Sequence, residues 1–302
     1  MKIILCILVV LMPLTILRAG KLNVVASVPD LGDMAERIGG DKIKVTTLAT
    51  GREDFHAVPV RPSFLPILNR ADILLTLGLD AEHAWLPALV KEARNPKIMK
   101  GREGWVEVYK GITVLGIADI IDRSEGEQHP RGNPHYNIGP QCGTVMAQNI
   151  YDALSTAAPQ HRELFKANLG SYMEEIDSTI IVLKERSSAL SGIAVIDYHP
   201  DLPYLAEFYD MEIIGHIEPK AGVSPTAAHL RSLEAEARKR DVKLIIHNQS
   251  QSPRIPQRLA RNLGLPVVEI ANAVGAKREI KTWLQLQEYN NRILLEALGA
   301  DR

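Results

Sequence analysis

The sequence predicts an α/β protein of two lobes, each a mostly parallel β-sheet flanked by helices, with one long backbone helix joining them. Three observations predict it. Short β-branched runs alternate with amphipathic helical patterns, which is typical of parallel sheets. A long helical pattern at 159–190 interrupts this alternation, which restarts afterwards. The 302 residues, 46% of them hydrophobic, are enough for two domains, and we place the lobes at 21–158 and 191–302.

The first twenty residues have the layout of a signal peptide. Lys2 precedes an apolar run at 3–17, and the small residues Ala19 and Gly20 follow it. We therefore expect cleavage near residue 20 and export to the periplasm. Cys6 lies too early in the run for lipid attachment, which favours a free periplasmic protein. Cys142 then remains as the single cysteine, so no internal disulfide is expected.

Charge and composition exclude one class of partner. The formal net charge is −1 and the chain has no basic run, so nucleic acid is not an expected partner. Nothing in the sequence calls for an obligate oligomer, and we expect a monomer.

In the first half, strand-like and helix-like segments alternate from residue 22 onwards. A strand, a helix and a second strand within thirty residues indicate a βαβ unit with two parallel strands. The predicted strands are 22–28, 43–50, 73–78, 97–100 and 112–115, and the predicted helices are 31–38, 62–71 and 81–93.

The dividing segment at 159–190 has the period of a helix. Its apolar residues recur at intervals of three and four, which places them on one helix face. Thirty-two helical residues would span about 48 Å, the height of two stacked lobes. The residues of this face are Phe165, Leu169, Tyr172, Ile176, Ile180 and Leu183.

In the second half the alternation of strands and helices continues to the end of the chain. The predicted strands are 193–199, 211–217, 242–248 and 265–271, and the predicted helices are 202–210, 226–240, 253–264 and 279–298.

Several histidines follow predicted strands, and parallel sheets bind ligands at the carboxyl ends of their strands. A single loop histidine is usually a solvated polar residue. Histidines at strand ends in both lobes, however, could meet across a cleft, and neutral imidazole is a common ligand of divalent metals. The candidates are His56, His129 and His135 in the first half and His199, His216 and His247 in the second.

Longer segments resemble one family, the periplasmic solute-binding proteins of zinc and manganese ABC transporters, often called cluster-nine binding proteins. The similar segments are VVASVPDLGDMAERIGGDKIKVTTLATGREDFHAVPVRPS at 24–63, NPHYNIGPQ at 133–141 and YHPDLPYLAEFYDMEIIGHIEPKAGVSP at 198–225. The resemblance covers essentially the whole chain after residue 20. It implies that the segment at 159–190 is the family's rigid helix between the lobes.

The resemblance also implies a function and a ligand set. His56, His135 and His199 correspond to metal ligands. The family's fourth ligand is usually an aspartate, but Asn272 occupies its position. The candidates for the fourth donor are therefore Asn272 and His247, which stands beside Asn248 at a position where the family commonly has a glutamate. Three imidazoles and a weak fourth donor favour zinc as the cargo, with manganese next. The expected partners are an ABC transporter permease and its ATPase, and no enzymatic activity is expected.

Two alternatives remain open from the sequence. A zinc hydrolase or hydratase with three histidine ligands would hold an activated water at an open fourth position. No His-Glu-Xaa-Xaa-His motif or nucleophile elbow supports it, and Glu53, Asp54 and Asp201 are equally well interpreted as carboxylates that orient imidazole rings. The other alternative is a degenerate family member that acts as an interaction scaffold, because Asn272 and Asn248 stand where the family has acids.

Overall fold

The computed structural model describes residues 20–117, 130–220 and 222–300. Within them the chain forms two four-stranded parallel sheets flanked by helices, which confirms the predicted fold class. The predicted signal peptide, apart from Gly20, and His129 lie outside the described residues. None of the helices in the described part of the chain is long and apolar enough to cross a membrane.

The first lobe contains a sheet with strand order β2-β1-β3-β4, in which all neighbouring strands are parallel. Its strands are β1 (Leu22–Ala26), β2 (Ile43–Thr47), β3 (Ile73–Thr76) and β4 (Trp105–Glu107). Its helices are α1 (Pro29–Gly39), α2 (Phe64–Asn69), α3 (Leu86–Ala93) and α4 (Gly143–Ala157).

Two predicted strands of this lobe were wrong. Within 97–100 the chain completes the 3₁₀ turn Pro96–Ile98, because the Asn95 side chain accepts a hydrogen bond from the Lys97 amide. The segment 112–115 forms no strand, since the Leu115 amide donates to the Tyr204 hydroxyl, 3.1 Å away in the second lobe. The fourth strand is instead β4, where Trp105 pairs with Leu74.

The long helix α5 (Arg162–Arg186) connects the lobes and is flanked by the 3₁₀ turns Pro159–His161 and Ser188–Leu190. At 25 residues it spans about 38 Å, shorter than the predicted 48 Å. It packs on α1 and α4 of the first lobe and on α9 of the second. The predicted face is buried at Phe165, Leu169, Tyr172, Ile176 and Leu183 and half-buried at Ile180.

The second lobe repeats the topology of the first. Its sheet has the order β6-β5-β7-β8 with all neighbouring strands parallel. The strands are β5 (Ala194–Asp197), β6 (Glu212–His216), β7 (Leu244–Asn248) and β8 (Val267–Ile270). The helices are α6 (Pro203–Tyr209), α7 (Ala227–Lys239), α8 (Arg254–Leu263) and α9 (Trp283–Ala297). The carboxyl ends of these strands carry the residues of the site.

Buried polar contacts hold the two lobes against each other. The Asn137 amide donates to Asp30 Oδ1 at 3.1 Å and to the Asn272 carbonyl at 2.8 Å, and the Val274 amide donates to Asp30 Oδ2 at 3.2 Å. The Trp283 indole donates to the Asn137 carbonyl at 2.7 Å. Burial raises the pKa of Asp30 to about 7. These contacts lie in a hydrophobic core that contains residues of both lobes.

Two glycines allow the backbones of the lobes to approach closely. Gly51 has φ +81°, and a Cβ at this position would lie 1.8 Å from the Val274 carbonyl oxygen. Gly275 has φ +84°, and its Cβ would lie 2.5 Å from the Thr50 carbonyl oxygen. Only glycine fits both the conformation and the space at these two positions. Here the loops at 49–51 and 272–276 meet backbone to backbone, and we call this contact the seam.

We predict that Gly51→Ala separates this seam. The conformation alone costs about 1–3 kcal/mol, and the clash with a backbone carbonyl adds to it. The matched control is Gly192→Ala, because Gly192 has φ +74° and open space around its Cβ position. Thermal unfolding should show a larger loss of stability for Gly51→Ala than for Gly192→Ala. Equal losses would contradict the close packing of the two loops.

Candidate metal centre

Three imidazoles converge between the lobes. His56 follows β2, His135 begins the 3₁₀ turn His135–Ile138, and His199 follows β5. One ring nitrogen from each lies within 4.8 Å of the others. Their relative exposures are 4%, 3% and 9%. The structure therefore brings together the three histidines that the family resemblance selected from the sequence candidates, two from the first lobe and one from the second.

His56 is oriented by its own loop and by the turn that precedes α3. Its amide donates to Asp54 Oδ1 at 2.9 Å, and its Nδ1 lies 3.0 Å from the Ala81 carbonyl, to which it donates. This tautomer places a lone pair on Nε2. Nε2 faces His135 Nε2 at 3.3 Å. Two nitrogens at this distance need a proton or a cation between them.

His135 is held by the same local device as His56. Its amide donates to the side chain two residues before it, Asn133 Oδ1, at 2.9 Å, as in an Asx turn. The Asn133 amide group in turn donates to the Pro200 carbonyl at 2.7 Å, and the Tyr204 hydroxyl donates to the Asn133 carbonyl at 2.8 Å. The position of His135 is thus set by contacts with the second lobe.

His199 is surrounded by carboxylates. Its Nδ1 lies 3.0 Å from Glu218 Oε2, and its Nε2 lies 3.9 Å from Asp201 Oδ1. Burial by itself lowers the pKa of His199, but the negative charge of Asp201 and the hydrogen bond with Glu218 outweigh it and raise the pKa to about 9. Because Glu218 holds Nδ1 of His199, the opposite ring nitrogen, Nε2, faces the space between the three rings.

Asp201 is an acid that lies beside two of the three rings, those of His135 and His199. It is buried, with Oδ1 at 3.3 Å from His135 Nδ1, and Oδ2 accepts hydrogen bonds from the side-chain amides of Asn248 at 2.5 Å and Gln251 at 2.9 Å. Burial raises its pKa to about 6. The sequence interpretation of Asp201 as a carboxylate beside the imidazoles agrees with this position.

The two candidates for a fourth donor lie in different places. Asn272 lines the cavity of about 250 Å³ that contains the three histidines. Its side-chain oxygen accepts from Gln249 Nε2, and its amide donates to Gln249 Oε1 at 3.1 Å. His247 is buried in β7 with Nδ1 3.0 Å from the Asn248 carbonyl, and it is not among the residues that line this cavity.

Sequence reasoning missed the partners supplied by the second lobe. Glu218 lies beyond the end of β6, at the same sheet edge as His199, and this position after a strand was the available signal. Gln249 directly follows β7 and carries the same signal, a polar residue after a strand. Glu53, which the sequence suggested as an orienting carboxylate, instead accepts from the amide and hydroxyl of Thr50.

The arrangement suits a late first-row divalent ion. In a tetrahedral zinc site with bonds of 2.0–2.1 Å, donor atoms lie about 3.3–3.4 Å apart. The Nε2 atoms of His56 and His135 already have this separation, 3.3 Å. Hydrogen bonds from the far ring nitrogens to a carbonyl or carboxylate are the usual way to orient metal-binding imidazoles.

Comparisons with known proteins identify the relatives of this chain. The sequence matches the family of zinc-uptake complex component A periplasmic proteins (ZnuA) over residues 24–297. It is 23% identical to the metal ABC transporter substrate-binding lipoprotein ScbA of Streptococcus cristatus, over 93% of this chain and 90% of that protein. It is 22% identical to the manganese ABC transporter substrate-binding lipoprotein ScaA of Streptococcus gordonii, over 93% and 90%.

A solved structure shows the same fold. The crystal structure of ZnuA superposes with a TM-score of 0.76 at 22% sequence identity, and the match covers 92% of this chain and 99% of that one.

We predict that His199 of the metal-free protein titrates at a pKa of about 9, with Glu218 as one cause. Glu218→Gln removes a negative charge and should lower this pKa in a histidine NMR titration. Because the folded pKa lies above the ordinary value of about 6.5, the stability that His199 contributes is complete below pH 6.5 and is lost as the pH rises through 9. An unchanged pKa in Glu218→Gln would contradict the assignment, and His83→Gln, on an exposed turn of the first lobe, is the control.

Proposed function

The chain belongs to the zinc-uptake complex component A periplasmic family, and from this premise we propose that it captures a divalent transition metal between its lobes and delivers it to the permease of an ABC transporter. Proteins of this family work with ABC transporters and are not enzymes. We propose zinc as the cargo, with manganese as the next candidate.

The observation that carries the proposal is the convergence of His56, His135 and His199. Their buried ring nitrogens lie within 4.8 Å of one another at the contact between two lobes. Two of these nitrogens are as far apart as the donors of a tetrahedral zinc site. Since the ligands come from both lobes, separation of the lobes would dismantle the site, and this gives a route for release to a permease.

The donor set favours zinc over manganese. Imidazole nitrogen suits zinc and other late first-row ions, whereas manganese prefers oxygen-rich surroundings. Asn272 contributes no charge, and its side-chain oxygen is bound by Gln249. The manganese-transport name of one relative keeps manganese as the rival cargo, and competition between the two metals decides between them.

The proposed location is the periplasm, and the proposed partners are a membrane permease and its cytoplasmic ATPase. Support comes from the family description, which names a periplasmic component of an uptake complex, and from relatives named as substrate-binding lipoproteins of ABC transporters. We propose that the protein acts as a monomer, because the two lobes of one chain supply all three imidazoles.

We predict one-to-one zinc binding in calorimetric titration of the metal-stripped protein, tighter than manganese binding. His199→Ala and His56→Ala should each weaken zinc binding at least about 100-fold, because a lost ligand should cost more than the 10- to 100-fold typical of a lost partner of a ligand. Direct competition in an equimolar zinc and manganese mixture checks the preference.

The control is His83→Ala, which removes an exposed imidazole outside the cavity and should leave zinc affinity unchanged. Absence of binding for both metals would contradict the capture of metal and favour the degenerate scaffold. Tighter binding of manganese would keep the transport role and reverse the choice of cargo.

A further inference from the structure

The donor set described so far contains no anionic ligand. Three neutral imidazoles leave the charge of a divalent cation uncompensated inside a cavity whose histidines are almost fully buried, and buried charge is costly unless it is paired. At the position where the family usually has an aspartate, Asn272 offers a neutral amide whose oxygen is bound by Gln249. The sources of negative charge in the cavity are therefore its carboxylates, Asp54, Asp201 and Glu218.

We propose that Asp201 is the fourth ligand of the metal and supplies the anionic oxygen that Asn272 lacks. Asp201 lies on the cavity wall, two positions after His199. This inference rests on the proposed function, since it assigns a further ligand to the same metal site.

The orientation of the Asp201 carboxylate supports this role. Its Oδ2 accepts two side-chain amides, from Asn248 and Gln251, on the side of β7. Its Oδ1 lies 3.9 Å from His199 Nε2, and it also lies 3.3 Å from His135 Nδ1, the ring nitrogen opposite the one that faces His56. The distance to His199 Nε2 is about 0.5 Å longer than the separation of about 3.3–3.4 Å between donors of a tetrahedral site, so ligation requires Oδ1 to exchange its contact with His135 Nδ1 for the metal.

Each of the other two carboxylates that line the cavity has one oxygen engaged with a histidine of the site. Asp54 Oδ1 accepts the amide of His56, and Glu218 Oε2 accepts the amide of Gly222 and contacts His199 Nδ1. Both therefore hold ligand loops in place. In Asp201, Oδ2 accepts from two side-chain amides and Oδ1 faces two imidazoles. The substitution of Asn for Asp at 272 and the acid at 201 together move the charged ligand from the loop after β8 to the loop after β5.

A test on the cobalt-loaded protein distinguishes a ligand from a residue that only positions ligands. Co²⁺ replaces zinc in four-coordinate sites, and its visible spectrum reports the coordination shell. If Asp201 fills the fourth position, the wild-type spectrum does not respond to added thiocyanate. In Asp201→Ala that position opens to solvent, and the cobalt site should take up one thiocyanate with a change of spectrum. Zinc affinity should fall by more than the about 10- to 100-fold that loss of a positioning residue produces.

The matched variants are Asn272→Ala and Glu236→Gln. Asn272→Ala should leave the cobalt site closed to thiocyanate, and Glu236→Gln removes one negative charge from the partly exposed α7 surface as a control for charge alone. If Asp201→Ala fails to fold, as judged by circular dichroism, Asp201→Asn retains the shape and should open the position to thiocyanate as well.

Three outcomes would overturn the inference and leave the proposed function intact. A wild-type site that already binds thiocyanate would show that solvent holds the fourth position. An Asp201→Ala site as closed as the wild type would reduce Asp201 to a positioning residue, and an opened site in Asn272→Ala alone would assign the ligand to Asn272. In each case the wild type still binds metal through its histidines. A wild-type protein that binds neither cobalt nor zinc would overturn the proposed function together with this inference.

Discussion

The close approach of imidazole nitrogens from two lobes is the constraint on which the rest of the structure depends. His56 and His135 face each other at 3.3 Å, and His199 completes the group from the opposite lobe. Nitrogens so close and so buried repel one another unless a proton or a cation lies between them. The surrounding structure must therefore hold them together, and it does so through their backbones. Asp54 and Asn133 each bind the amide of the histidine two residues ahead.

The requirement to hold the three imidazoles close together also explains the contacts between the lobes. Asn133 binds the Pro200 carbonyl beside His199, so His135 and His199 are fixed relative to each other. Asp30, Asn137 and the loop after β8 form a buried network that is continuous with the core. Gly51 and Gly275 allow the backbones to meet. The helix α5 contributes rigidity, since it packs on helices of both lobes.

The sequence predicted most of the fold because its signals are local. The alternation of strand and helix patterns identified the two parallel sheets, and the period of α5 identified its buried face. The prediction of a strand at 112–115 could not be rejected from sequence, because the Leu115 amide donates to the Tyr204 hydroxyl, about ninety residues away. The prediction of a strand at 97–100 was wrong for a local reason, the hydrogen bonds of the Asn95 side chain. Helix α4 was missed although Met146, Ile150 and Leu154 follow a helical period.

The histidines of the candidate site were predictable from the sequence, and the positions of its charged and amide side chains were less so. Histidines after strands are visible in sequence, and the resemblance to a family selected three of them. The pairing of Asn272 with Gln249 and the position of Glu218 depend on how strand ends converge in space, which local patterns do not encode. Asp201 was recognised as a neighbour of His199, but its contact with His135 depends on the apposition of the lobes.

X-ray absorption at the zinc edge, on the protein loaded with one equivalent of zinc, tests whether the three histidines bind the metal. We predict a four-coordinate ion whose nearest shell of nitrogen and oxygen lies at about 2.0–2.1 Å, with the outer-shell scattering of three imidazoles. Scattering from one imidazole or none would contradict it, because the zinc would then lie outside the cleft that the two lobes form.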